Sequence, residues 1–160
     1  MIAMEPDRLF KARVSRRFSA PPQRVFDAWL DAKTAGQWLF VAAGGRAARV
    51  EIDPRAGGWF FLDERRNGES IEHIGEFLEM VRPHRIVFSL FAEKYSLAFE
   101  RVTVVVNPLG SGCEVTLTHE SIPELANQPS RDWGKMLDAL AAMLGENGRA
   151  PALREVAAPK

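Results

Sequence analysis

Ser-Arg-Asp-Trp-Gly-Lys-Met-Leu-Asp-Ala-Leu-Ala-Ala-Met-Leu, residues 130–144, is the stretch whose reading decides the fold. Trp133, Met136, Leu137, Leu140, Met143 and Leu144 recur at steps of three and four. A period of about 3.6 residues therefore lines them along one helical face, with Arg131, Asp132, Lys135 and Asp138 on the others. A helix of this length is marginal alone in water. Its stripe needs a broad apolar surface, against which each large side chain contributes roughly 1.5–3 kcal/mol when fully buried.

The residues upstream supply such a surface. Phe10, Ala12, Val14, Arg16 and Phe18 alternate with Lys11, Arg13, Ser15 and Arg17, which predicts a first strand over 9–18, at a sheet edge where Arg16 reaches water. Ser19-Ala20-Pro21-Pro22 stops it and opens a helix with Val25, Phe26, Trp29 and Leu30 on its apolar face, followed by a second short helix over 32–38. After a loop of small residues at 42–45, strands are predicted at 48–53 and 58–64. The second carries Trp59 and Phe61 on one face and Phe60 and Leu62 on the other. Asn67-Gly68 is a hairpin signal. Further strands follow at 70–81, 85–91, 96–107 and 113–121, and Gly75 inside the first of these marks a bulge or a close approach. Arg101 runs in phase with Leu97 and Phe99, as a buried counter-ion or the sign of a broken register. Glu72, Glu76, Glu79, Glu100, Glu114 and Glu120 alternate with apolar residues as an outer sheet face requires. Two prolines forbid a continuous element over 122–129, and the Ala-, Pro- and Gly-rich tail after Gly145 reads as flexible or weakly helical.

These elements predict an α+β fold: a curved, mostly antiparallel sheet of six to seven strands wrapped around a long C-terminal helix, with two short helices after the first strand. Residues 1–160 form a single domain in this reading, with a core at about 9–145 and terminal arms at 1–7 and 146–160.

Lys+Arg 21 against Asp+Glu 21 gives no net charge, so nothing steers the whole chain to nucleic acid or anionic lipid. A lone cysteine, Cys113, excludes an internal disulfide and fits a reducing compartment. No stretch approaches the ~18 apolar residues that span a bilayer, which excludes membrane insertion through a helix and predicts a cytoplasmic protein. Three scattered histidines lack metal-ligand spacing, no Gly-rich loop opens a helix, and no base stands beside Cys113 in the sequence. No metal and no cofactor are expected.

The order of elements resembles the helix-grip, or START-like (SRPBCC), superfamily. Within it the chain resembles homologues of the heat-shock-protein-90 ATPase activator, in their C-terminal-type domain. The resemblance is carried by Pro21–Trp29, Gln37-Trp38, Gly57-Gly58-Trp59-Phe60-Phe61, His73-Ile74-Gly75-Glu76-Phe77, Pro83–Phe88, Val115–His119, and Trp133 with Leu137 and Leu140, and it runs from about Phe10 to Leu144. It implies a cavity between sheet and terminal helix that in relatives takes lipids, hormones, polyketides or other apolar molecules. It implies no one chemistry, since a fold does not transfer a function.

The first functional reading is therefore a protein that binds an apolar or amphipathic small molecule between the sheet and the 130–144 helix. Trp38, Trp59, Phe61, Phe77, Phe88, Phe99, Trp133, Leu137 and Leu140 would supply contact area, and His73, Tyr95 and His119 would orient polar groups. Alternation puts His119 in phase with Val115 and Leu117, and His73 in phase with Ile71 and Phe77, which aims both inward. Entry would lie at the loop after Trp38 and at 122–129. A second reading makes the same space a cyclase- or hydrolase-like active site, with His119 or His73 as general base. A third is a stress-related module that contacts a chaperone through an exposed apolar patch. Homodimerisation through an edge strand or the tail is compatible with all three.

Overall fold

The computed structural model describes residues 10–40, 46–93, 99–121, 133–145 and 154–159. Strand β1 (Phe10–Phe18) is followed by helices α1 (Pro22–Asp27) and α2 (Ala32–Ala35). Then come β2 (Arg46–Ile52), β3 (Trp59–Arg66), β4 (Glu69–Val81), β5 (Arg85–Leu90), β6 (Glu100–Leu109), β7 (Gly112–Ser121), α3 (Trp133–Met143) and β8 (Arg154–Pro159). The strands form one sheet in the order β2-β3-β4-β5-β6-β7-β1-β8, and every neighbouring pair is antiparallel. The helix-grip fold expected from the sequence is the fold observed. No helix among the described residues is long and apolar enough to cross a membrane.

Local chemistry explains the joints. Pro22 enters the first turn of α1, where its missing N–H costs nothing. Asp31 caps α2 by accepting from the Thr34 backbone N–H at 2.9 Å and its hydroxyl at 2.7 Å. Those bonds hold the Asp31 carboxyl below the usual aspartate range. Asn67 and Gly68 both take positive φ, as a two-residue hairpin between Arg66 and Glu69 requires. Of the stripe read from the sequence, helix α3 buries Trp133, Met136, Leu137 and Leu140, with Met143 only partly buried; Ala141 is buried beside them, as is Leu144 just beyond the helix. The Arg24 guanidinium of α1 donates to the Leu144 carbonyl at 3.2 Å, satisfying one of the carbonyls left open at the helix end.

Several sequence expectations are corrected. The tail is neither flexible nor weakly helical at 154–159: it forms β8 on the outer edge of β1, which makes eight strands rather than six or seven. Backbone hydrogen bonding drives that pairing, and side-chain composition does not report it. With β7 on one side and β8 on the other, β1 is no edge strand. Arg16 consequently does not reach water: it lies 3% exposed between Val14 and Phe18 on the inner face. Its Nε donates to Asp138 Oδ1 of α3 at 2.9 Å, Nη1 donates to the Arg17 carbonyl at 2.9 Å, and the guanidinium sits 5.1 Å from the Phe18 ring centre.

On β3 the inner face belongs to Phe60, Leu62 and Glu64, not to Trp59 and Phe61, because Phe60 pairs opposite Gly75 and Leu62 opposite His73. On β6 the inner face is Glu100, Val102, Val104 and Val106, so Arg101 points out, Phe99 falls out of phase, and Glu100 is not an outer-face residue. Gly75 marks a close approach: a Cβ there would stand 1.8 Å from the Ser89 carbonyl oxygen and 2.5 Å from the Phe60 ring. The register shift lies elsewhere, between Phe77 and Glu79.

The Arg16–Asp138 pair ties the helix to β1, next to the β8 edge of the sheet, with Asp138 half in solvent. Asp138→Ala is expected to cost about 1 kcal/mol in a urea titration, because Arg16 keeps its carbonyl and ring contacts while losing one charged acceptor.

Candidate functional site

Besides Arg16 on β1, the inner face of the sheet carries two histidine–glutamate pairs near the N-terminal end of α3. On β3 and β4, Glu64 (0% exposed) and His73 (1%) face inward, with His73 Nε2 3.4 Å from Glu64 Oε1. Arg66 reaches back along β3 and donates from Nε at 3.0 Å and from Nη2 at 2.8 Å to Glu64 Oε2. On β6 and β7, Glu100 (3% exposed) meets His119, with His119 Nε2 2.9 Å from Glu100 Oε1.

Helix α3 completes the second pair. The indole Nε1 of Trp133 lies 2.9 Å from His119 Nδ1. An indole N–H can only donate, so Nδ1 is the acceptor and the imidazole proton sits on Nε2, where it is donated to Glu100. His119 is thus oriented from both sides, and its basic nitrogen is already occupied. In this arrangement it holds a hydrogen bond rather than serving as an open base.

Phe40 connects the two pairs. Its ring stacks on His73 at 4.3 Å and 3° and meets Trp133 edge-on at 5.6 Å, while its backbone N–H donates to Met136 Sδ of α3 at 3.3 Å. Phe40 holds φ at 59°, a left-handed conformation that costs a bulky residue roughly 1–2 kcal/mol. Contacts from β4 and α3 hold it there.

Next to this band Trp29 stands 4.6 Å from Trp38 and 6.3 Å from Trp133, ring centre to ring centre. Trp38 Nε1 donates to the Ala28 carbonyl at 3.1 Å, but Trp29 Nε1 is buried with no hydrogen-bond partner among the described residues. A small hollow lies between the sheet and the segment that carries Trp29 and Leu39, with no α3 side chain in its lining. A cavity of about 20 Å³ is lined by Trp29, Leu39, Phe60, Phe77 and Phe88 among others, room for about one water molecule.

The residues singled out from the sequence separate accordingly. His73, Phe77, Phe88, His119, Trp133, Leu137, Leu140 and Trp38 all lie in the interior or on its border. Trp59 is 51% exposed on the outer face, Phe61 is half-buried there 5.4 Å beneath the Arg49 guanidinium, and Phe99 packs on Phe91 at 5.2 Å. Tyr95, and the two entry segments at 41–45 and 122–129, lie outside the described residues. Glu64, Glu100, Phe40 and Trp29 were missed as site residues. The signal for both glutamates was present, since Phe60-Leu62-Glu64 and Glu100-Val102-Val104-Val106 are each in phase along one strand face. Among the described residues no three metal-ligating side chains converge.

Comparison with known proteins then adds relatives. Residues 19–145 match the family model described as activator of Hsp90 ATPase homolog 1-like protein. A crystal structure of a protein from Chromobacterium violaceum is similar at 27% identity and a TM-score of 0.75, over 89% of this chain and 100% of that one. An HSP90 activator from Plasmodium falciparum is similar at 24% identity and a TM-score of 0.67, over 86% and 98%. CalU16 from Micromonospora echinospora is similar at 21% identity and a TM-score of 0.63, over 84% and 75%. No curated protein matches the sequence.

Proposed function

This chain belongs to the activator of Hsp90 ATPase homolog 1-like family, and on that premise we propose that it binds an amphipathic small molecule between its sheet and α3. One observation carries this reading: two histidine–glutamate pairs, with Glu64, His73 and Glu100 buried and His119 partly so, face a largely apolar interior. Burying ionisable side chains is expensive, and apolar residues of similar volume would commonly stabilise a fold as well or better. Polar groups placed beside apolar walls are what a site needs to orient a ligand's polar end while its body is buried.

The ligand's apolar part would meet Phe60, Phe77, Phe88, Leu137 and Leu140, and its polar end would meet His73 and His119 in their glutamate-held orientations. The hollow of about 20 Å³ requires side chains to move aside on binding. Thermal denaturation against a panel of fatty acids and hydroxylated aromatic compounds is the test. At a concentration of about 100 Kd, a true ligand stabilises by about 2.7 kcal/mol, an upward shift of several degrees. Glu100→Gln is expected to weaken that shift while the protein stays folded. A flat response to the whole panel, with the bare chain mass in native spectrometry after purification, rejects the proposal.

A second reading, contact with a chaperone, is favoured by Trp59 and Leu78, large apolar side chains exposed on the outer face of β3 and β4. It predicts that an Hsp90-type chaperone is retained on the immobilised wild-type chain and lost on Trp59→Ser. Equal retention on both removes this face as the contact.

A further inference from the structure

Trp133 is the first residue of α3, 4% exposed, and spends its only donor on His119 Nδ1. That nitrogen is the acceptor that the Glu100–His119 pair offers to the interior, since Nε2 is turned to Glu100. The indole is planar, bicyclic and donor-bearing, and it lies against Trp29 and Phe40 as an aromatic guest would. Beside it Trp29 keeps a buried N–H without an acceptor among the described residues. Native interiors rarely leave such a donor unsatisfied. The interior therefore holds one acceptor occupied by the chain's own side chain and one donor still open, on neighbouring aromatic walls.

From this we infer that Trp133 is an internal stand-in for the ligand, and that the ligand is a planar aromatic molecule bearing a hydroxyl. Its O–H replaces the indole N–H on His119 Nδ1, and its oxygen lone pairs accept from Trp29 Nε1. The inference rests on the interior-binding reading above and deepens it by naming the ligand class and the group that must leave. Withdrawal of the indole also resolves the volume problem, because a bicyclic side chain vacates a bicyclic space. In the ligand-free chain the closed form competes with every ligand, so apparent affinity is reduced by the fraction of chains in which Trp133 is withdrawn.

The test uses 2-naphthol and its methyl ether, 2-methoxynaphthalene, which keeps the ring and the acceptor but has no donor. Both are titrated calorimetrically into wild type and Trp133→Phe. The phenylalanine keeps an aromatic ring in the core while freeing His119 Nδ1, and thermal denaturation verifies that it is folded. Trp133→Phe is expected to bind 2-naphthol about tenfold more tightly than wild type, and to prefer it to the ether by about tenfold, the effect of one hydrogen bond. In wild type, 2-naphthol is expected to shift the Trp133 indole N–H resonance and expose it to solvent exchange. That resonance is assigned by its absence from Trp133→Phe. Equal affinity of the two chains for 2-naphthol, or no preference over the ether, overturns the stand-in while leaving interior binding intact. Binding of neither compound by either chain overturns both.

Discussion

Gly75→Ala is expected to destabilise the protein by about 3 kcal/mol or more, seen as a lower urea midpoint at an unchanged slope. A methyl group at this position would stand 1.8 Å from the Ser89 carbonyl oxygen and 2.5 Å from the Phe60 ring. The first contact is with backbone, so no rotamer change relieves it. Strand β4 would have to move away from β5, or Phe60 leave its place opposite Gly75. Phe60 touches Phe77 and Phe88 at ring-centre distances of 5.7 and 5.4 Å, so its displacement would disturb the wall of the interior as well as its stability. Gly68→Ala meets nothing within 4 Å of the new Cβ and serves as the comparison. It pays only for its positive φ, roughly 1 kcal/mol.

Leu140→Asp is expected to cost about 4 kcal/mol or more, enough to unfold a domain of ordinary stability. Leu140 is wholly buried in the middle of α3, within the cluster that contains Leu137, Phe88 and Val104. A carboxylate there loses the leucine's packing and its own hydration together. Circular dichroism and urea denaturation check this against Ala142→Asp on the exposed side of the same helix, which should stay within about 0.5 kcal/mol of wild type. Near wild-type stability of Leu140→Asp would mean that α3 does not dock through this face.

Much of the site was legible once the phase of each strand is known. His73 and His119 follow from alternation along β4 and β7, where they share the phase of Ile71 and Phe77 and of Val115 and Leu117. Strand β3 carries apolar residues on both faces. On β3, Trp59 and Phe61 are as hydrophobic as Phe60 and Leu62, and period two alone does not say which pair turns inward. Pairing opposite Gly75 decides it, because only a glycine leaves room for the Phe60 ring. The phase of β6 was hidden similarly by Leu97 and Phe99, which precede a strand whose buried run is the valines. Glu100 and Glu64 were therefore assigned outside or passed over, although each continues an inward-facing series.

Arg16 is the clearest case of tertiary placement overriding a local expectation. A charged residue in an alternating strand ordinarily indicates solvent, and a strand at an edge would allow it. The tail removes the edge by adding β8, and α3 supplies Asp138 above the strand, so the guanidinium is satisfied where it is buried.

Periodicity and turn chemistry by themselves determined the order of elements, the striped terminal helix and the hairpins, because these depend on neighbours a few residues apart; the family rests on the resemblance of its motifs and the match over residues 19–145. Which strand face looks inward, the partnering of Glu64 with His73 and of Glu100 with His119, the seat of Trp133 on His119, and the near closure of the hollow depended on contacts between residues far apart in the chain. Such contacts are set by pairing register and by the volume left between packed layers. No local pattern encodes either quantity, and both emerge only when the whole sheet closes on its helix.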